Sequence, residues 1–317
     1  MTAVGDTDFM RLAEPYRREL LAHCYRMVGS VHDAEDLVQE TFLRAWRARA
    51  AYEGRASLRT WLYRIATNVC LTAVERGRRR TLPSGIGDPA GDATAPPRLP
   101  DQEVPWLQPI PDALLDPADV VAHRDRIRLA FIAALQYLPP RQRAVLILRD
   151  VLEWRAAEVA ELLDTSTAAV NSALQRARTQ LADAAPGEDD MTPPSDEHRI
   201  LLDRYVSAFE HADVAGLTRL LREDVVLEMP PYLTWYRGRD AVATVVAGVV
   251  RYPRLAVVTA ANGQPAVALY RSEGGIHVAH SVHVPDLADG GVARMRVFLD
   301  PNLFPLFGLP STADGLS

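Results

Sequence analysis

Between residues 81 and 117 the chain carries prolines at 83, 89, 96, 97, 100, 105, 109, 111 and 117, with Gly, Asp and Ala prominent among the rest. Each proline fixes φ and removes a backbone donor, so neither a helix nor a central strand runs through such a stretch. Residues 81–117 therefore read as a linker, and the 317 residues divide before any element is assigned. Within the linker, Val104-Pro105-Trp106-Leu107-Gln108-Pro109-Ile110-Pro111-Asp112 is apolar enough to lie against a protein surface. A second break, the acidic APGEDDMTPPSDE at 185–197, separates a third segment.

Residues 8–80 are helical in pattern. Leu58, Trp61, Leu62, Ile65, Ala66, Val69 and Cys70 recur at the i, i+3, i+4 spacing of one buried face, with Ser57 as N-cap. An earlier helix, about 33–49, places Leu37, Val38, Phe42 and Trp46 on one stripe, and its acidic first turn suits the helix dipole. Residues 118–184 form a second helical block. There EVAELLD, a polar turn at Asp164-Thr165-Ser166-Thr167 and a helix from about Ala168 have the layout of a helix-turn-helix, with Ala157, Val159, Ala160, Leu163, Val170 and Leu174 as contacts between the helices. A helical hairpin with no DNA partner fits the same pattern. From 198 the pattern is α+β: helices at about 198–212 and 214–222, a strand DVVLEM, a helix near 239–250, and four strand-like runs with hairpin turns at Asn262-Gly263 and Asp289-Gly290-Gly291.

The net charge of −6 runs against a nucleic-acid binder, whose affinity rests on neutralising phosphates, but the distribution does not. From Arg44 to Arg80 ten arginines face only Glu53 and Glu75, whereas 81–123 holds seven acids and Arg98. Cys24 and Cys70, the two cysteines, sit in apolar helical patterns and read as small core side chains, with no metal site and no cofactor expected. No run approaches the roughly 20 apolar residues of a membrane span, and Asp6, Asp8, Glu14 and Glu19 interrupt any signal-peptide core, so a cytoplasmic chain without membrane partners is expected.

The stretch from Leu138 to Leu181 resembles region 4 of sigma factors. Leu138, Pro139, Arg141, Gln142, Arg143, Val145, Leu148 and Arg149 match its opening, and the resemblance implies a helix-turn-helix reading the minus-thirty-five element through Thr167, Asn171, Ser172, Gln175, Arg176 and Arg178. Departures are the missing glycine near Glu153-Trp154, and Asn171 and Ala173 where the family has cations. DAEDLVQETFLRAWR (33–47) and SLRTWLYRIATNVC (57–70) resemble region 2. That resemblance implies a polymerase-binding helix using Asp33, Asp36, Gln39, Glu40 and Arg44. It also implies a minus-ten DNA surface at Arg59, Trp61, Arg64, Asn68, Arg76, Arg78, Arg79 and Arg80, with Trp61 either core or stacking platform and Thr72 where an Asp is frequent.

Regions 2 and 4 in this order, with a linker for the middle domain of larger sigma factors, point to the extracytoplasmic-function group. The implied partners are core RNA polymerase, through its β′ and β subunits, and promoter DNA. Residues 198–310, chiefly through DVVLEMPPYLTWYRGRDAV, are similar to SnoaL-like domains of the nuclear transport factor two superfamily, a cone-shaped fold with an internal pocket. Its candidate lining is Glu228, Met229, Tyr232, Trp235, Tyr236, His280 and Asp300, with a small-molecule ligand among the expected partners. His280 alternates with Ile276, Val278, Val282 and Val284, and Glu228 shares a strand face with Val226.

The expected architecture is multidomain: two all-α domains, a region 2 bundle and a region 4 helix-turn-helix, followed by the α+β cone. The expected function is a sigma factor whose C-terminal domain regulates it in cis, with no catalytic residues of its own. A SnoaL-type isomerase or cyclase tethered to DNA-binding helices, and a helix-turn-helix repressor, are the alternatives.

Overall fold

The structure, a computed structural model, describes residues 6–52, 54, 56–184 and 196–313, so most of the break at 185–197 lies outside the described residues. The chain forms two compact units, residues 1–80 with 107–186 and residues 81–106 with 187–317. This division differs from a single linker at 81–117: the first part of that stretch belongs to the C-terminal unit and its end to the helical unit.

In the helical unit, α1 (Asp6–Ala13), α2 (Arg17–Val28), α3 (Val31–Ala48) and α4 (Leu58–Arg76) form the first group. Ser30 caps α3, its Oγ accepting from the Asp33 N–H at 3.2 Å, and Ser57 caps α4 in the same way from Thr60 at 3.1 Å. These bonds satisfy donors that the first helical turn leaves free. Val38, Phe42, Leu62, Ala66, Val69, Cys24 and Cys70 are buried, and both cysteines are free thiols. Trp46 departs from the expected stripe: it is exposed, with the Arg49 guanidinium 4.4 Å over its ring, because the α3 core stripe ends at Ala45.

The second group holds α5 (Pro117–Ala122), α6 (Leu129–Leu135), α7 (Pro140–Leu146), α8 (Ala156–Leu162) and α9 (Thr167–Ala184). The two groups share buried contacts. Arg143 Nη1 donates to the Gln136 side chain at 2.7 Å and to the Met27 carbonyl, Nη2 donates to the Gln136 and Leu138 carbonyls, and Trp154 stacks edge-on to Tyr63 at 5.3 Å. Burial, with Arg79 nearby, lowers the Arg143 guanidinium to about 10. Leu107 and Ile110 are fully buried here, and Gln108 is held by Tyr25, Gly29, Ser30 and His32, so the apolar run of the linker docks rather than floats.

In the C-terminal unit, α10 (Asp196–Glu210) and α11 (Val214–Leu220) lead into a six-stranded sheet in the order β2-β1-β6-β5-β4-β3. Its strands are β1 (Leu221–Glu228), β2 (Trp235–Arg237), β3 (Arg254–Ala261), β4 (Gln264–Glu273), β5 (Ile276–Ala288) and β6 (Gly291–Phe298), with α12 (Arg239–Val249) after β2. The β1–β6 pair is parallel and the others are antiparallel. Asn262 and Gly263, at φ 57° and 67°, make the β3–β4 turn, a conformation their residue types accept at low cost. The three-residue β2 is too short to leave a period-two signature. Its edge is covered by the preceding segment: the Ala90 N–H donates to the Trp235 carbonyl, the Leu233 N–H to the Arg98 carbonyl, and the Arg98 N–H to Thr234 Oγ1, each at 2.8 Å. A covered edge is closed to pairing with other chains.

Candidate nucleic-acid interface and ligand pocket

In the helix-turn-helix, Val159, Ala160, Leu163, Val170 and Leu174 are buried as expected and Ala157 is exposed, because it falls on the solvent face of α8. The turn needs a left-handed residue, supplied by Asp164 at φ 49°, and Ser166 Oγ caps α9 by accepting from the Ala169 N–H at 3.1 Å. Thr167, Asn171, Ser172, Gln175 and Arg176 are exposed on α9 while Val170, Leu174 and Ala177 face inward. Arg178 is committed elsewhere: its guanidinium makes a two-bond ion pair with Asp150 at 2.7 and 2.8 Å. Near the expected glycine position, Glu153 is held at φ 58° after a π-turn over Ile147–Val151, so a side chain occupies a backbone conformation that disfavours it.

On α4, Arg64 and Asn68 are exposed one turn apart, and Arg76, Arg78 and Arg79 are exposed at its end and beyond. Arg79 lies 4.3 Å over the Tyr137 ring. Arg59, Arg80 and Trp61 also have intramolecular partners. Arg59 pairs with Glu19 at 2.7 Å and lies over Tyr63, Arg80 pairs with Asp33, and Trp61 is half-buried between Phe9 and Tyr52 with ring centroids at 6.1 and 5.1 Å. Asp33 is thus not a free polymerase contact. On α3, Asp36, Gln39 and Arg44 are exposed, with Glu40 paired to Arg44 at 2.6 Å. Leu43 and Trp46 add an exposed apolar patch to that helix; amphipathic spacing had pointed Trp46 inward and left Leu43 unnoticed.

The C-terminal unit holds a partly open pocket of about 480 Å³, lined in part by its helices. Met229, Tyr232, Tyr236 and His280 line it, as expected. Glu228, Trp235 and Asp300 do not. Strand register puts Glu228 and Trp235 on the opposite face of the sheet from Leu227 and Tyr236. There Glu228 is fully buried, accepting from the Ser84 N–H and from Arg294 Nη1, both at 3.0 Å, while the Trp235 indole N–H donates to the Gly87 carbonyl at 2.8 Å. The same face carries Asp286, bonded to Arg296 and Gln264 at 2.8 Å. Burial alone pushes the Asp286 carboxyl up, but Arg296, Gln264 and Arg294 together hold it below the usual range. Asp300 caps the turn over Pro301–Phe307, accepting from the Asn302 N–H at 3.0 Å.

The alternation assigned to His280 also fails. A bulge opposite Leu269/Tyr270 pairs Leu269 with Ser281 and Tyr270 with Ala279, leaving His280 as an extra residue. Cavity-facing positions are then Ser281 and His283, with His280 added by the bulge, while Val282 and Val284 face away. His283 is buried, with Nδ1 at 2.8 Å from Tyr205 Oη and Nε2 at 3.0 Å from Ser281 Oγ; Ser281 Oγ is in turn 3.1 Å from His280 Nδ1. Burial, then His280 and Arg254, lowers His283 to about 3; burial, then Arg254 and Arg271, lowers His280 to about 4.

Residues missed by sequence reasoning add to the wall, among them Ala93–Pro97 from the Pro-rich segment, and Arg254 and Arg271 from β3 and β4. The arginines had a readable signal. Counting outward from the Asn262-Gly263 turn sets Arg254 directly opposite Arg271, a like-charge cross-strand pair that costs stability. Among the described residues no group of three or more His, Cys, Asp or Glu is placed to hold a metal, and no helix is long and apolar enough to cross a membrane.

Family models match three parts of the chain: Sigma-70 region 2 over residues 12–80, Sigma-70, region 4 over residues 128–181, and the SnoaL-like domain over residues 202–297. The chain is 52% identical over 318 residues to the ECF RNA polymerase sigma factor SigG of Mycobacterium tuberculosis, covering 96% of this chain and 85% of that protein. It is 29% identical over 307 residues to the sigma factor SigJ of the same organism, covering 92% and 91%. The crystal structure of Mycobacterium tuberculosis extracytoplasmic function sigma factor SigJ superposes with a TM-score of 0.61 at 23% identity, covering 95% of this chain and all of that one, and so shares the fold. Two helical sigma regions followed by a mixed α/β SnoaL-like domain define the class. The chain belongs to the ECF RNA polymerase sigma factors.

Proposed function

We propose that the chain binds core RNA polymerase through its β′ and β subunits and directs it to promoters in the cytoplasm. In this reading α9 lies in the major groove of the upstream duplex, with Thr167, Asn171, Ser172 and Gln175 at base edges and Arg176 at phosphate. Region 2 captures the opened strand on Arg64, Asn68, Arg76, Arg78 and Arg79, and α3 docks on polymerase through Asp36, Gln39, Glu40, Arg44 and the Leu43–Trp46 patch. The observation that carries the reading is the two-faced α9, polar and exposed on one side, with Val170, Leu174 and Ala177 buried on the other.

The C-terminal unit regulates this activity in cis, and its pocket takes a small molecule. Support comes from the segment 81–106, which joins regions 2 and 4 covalently yet folds onto the C-terminal sheet and lines its cavity. Occupancy of the pocket thereby bears on the connection between the two sigma regions. No catalysis is assigned to the pocket, since Glu228, the acid expected there, lies on the other sheet face with its oxygens engaged.

Run-off transcription with purified core polymerase tests both parts. The full chain is expected to start transcripts, and deletion of residues 198–317 to change their yield. No transcript from the full chain removes the sigma reading; identical yields from both chains across promoters remove regulation in cis.

A further inference from the structure

The pocket is apolar along most of its wall and carries a cross-strand pair of arginines. Phe209, Leu227, Tyr236, Val246, Met295 and Val297 supply flat and flexible hydrophobic surface, the usual lining of a site of this size. Arg254, Arg271 and His280 also line it. Arg271 is paired with Glu273 and half-exposed to solvent. Arg254 is different. Its Nη2 donates to the Val249 carbonyl at 3.1 Å, while Nη1 is buried without a hydrogen-bond partner, and no carboxylate among the described residues pairs with it. His280 and His283 are neutral at physiological pH and offer it no charge.

The Arg254 side chain is half-buried, and its Nη1, shielded from water without a partner, carries a cost that an entering anion relieves. Arg254 stands across the strand from a second arginine, which raises the cost in the empty pocket and the attraction for an anion that enters. A carboxylate or sulfonate accepts from the planar fork in a fixed orientation, leaving its ligand's body to lie among the aromatic and methionine side chains.

We infer that the pocket takes an amphipathic organic acid, with an aromatic or alicyclic body against Phe209, Tyr236 and Met295 and its anionic group on Arg254. This rests on the pocket reading above and adds the ligand's class. Because Ala93–Pro97 close one side of the cavity, the same ligand contacts the segment between regions 2 and 4 and restrains it when bound.

A pair of dyes separates the two claims: 8-anilinonaphthalene-1-sulfonate and N-phenyl-1-naphthylamine, which share a ring skeleton and differ in the sulfonate. Both are titrated by fluorescence into the full chain, Arg254→Gln and Val246→Trp. The sulfonate is expected to bind and to weaken about tenfold or more in Arg254→Gln, the loss of one charged hydrogen bond. The neutral dye is expected to bind both proteins alike, which also shows that the Arg254→Gln pocket is folded. Val246→Trp, which fills the cavity, should abolish both. Amide exchange at Ala93–Ala95 should slow in the presence of the sulfonate. Equal binding of the sulfonate to wild type and Arg254→Gln overturns the anionic assignment while the pocket reading stands. Binding of neither dye, or binding undiminished in Val246→Trp, overturns both.

Discussion

Replacing Glu228 with alanine tests whether this carboxylate is an anchor for the Pro-rich segment. In the wild type its two oxygens hold the Ser84 N–H and Arg294 at 3.0 Å, with Arg296 at 3.9 Å, while Asp286 serves both arginines from the other side. Without it, two guanidinium groups share Asp286, and Ser84 loses its acceptor. Breaking a buried ion pair costs about 3–5 kcal/mol. The Arg294 side chain is 31% exposed and recovers part of this through water, so we expect the lower end, about 3 kcal/mol. Denaturant unfolding of the full chain, followed in the transition of the C-terminal unit, reads this value. Hydrogen exchange supplies the local readout: the Ser84 amide should open about 100-fold more often, the equivalent of that energy. Amides of Ala90 and Arg98 should keep much of their protection, because their bonds to Trp235 and Thr234 do not involve Glu228. A Ser84 amide that exchanges at the wild-type rate, with stability within about 0.5 kcal/mol of wild type, refutes the anchor.

Three further outcomes follow from other sites. His283 is neutral when folded, with its value lowered to about 3, facing His280, Arg254 and Tyr205, whereas the unfolded chain protonates it near 6.5. Below pH 6.5 the unfolded state therefore binds the extra proton, and the C-terminal unit loses up to about 1.4 kcal/mol per pH unit toward pH 3 from this residue; urea midpoints at pH 7, 6, 5 and 4 should show a shallower loss in His283→Gln, and an unchanged slope contradicts the assignment. Glu153→Gly relieves the left-handed strain before α8 and should raise the stability of the helical unit by about 1 kcal/mol in thermal unfolding, with destabilisation as the contrary result. Arg176→Ala on α9 should lower the salt dependence of DNA binding by about 0.9 in log–log slope and weaken all sequences alike, whereas Asn171→Ala should act on some sequences only; the reverse pattern would exchange their roles.

How far the site was legible depends on which interactions write a pattern. The helix-turn-helix was readable because period, turn residues and caps agree along one short stretch, from Val159 through Ser166 to Leu174. Pocket residues were read unevenly. Tyr236 and Met229 follow simple alternation, but one extra residue in β5 defeats that rule for His280 and hides His283. Glu228 alternates with its neighbours as expected, but period two alone does not tell which sheet face holds the cavity. Nor does composition show that residues 81–106, with six prolines, will be recruited by the C-terminal sheet. Here an indole N–H at Trp235, a carboxylate at Glu228 and the open edge of β2 supply the reason, and all three lie more than a hundred residues downstream.

Transcription from genomic DNA by core polymerase, with and without the full chain, followed by mapping of RNA 5′ ends, addresses the sigma assignment most directly. The account predicts a set of starts that requires the chain, shares sequence near minus thirty-five and minus ten, and disappears for a variant carrying Asn171→Ala, Gln175→Ala, Arg64→Ala and Asn68→Ala together. Starts that are identical with and without a folded chain able to bind DNA would contradict it.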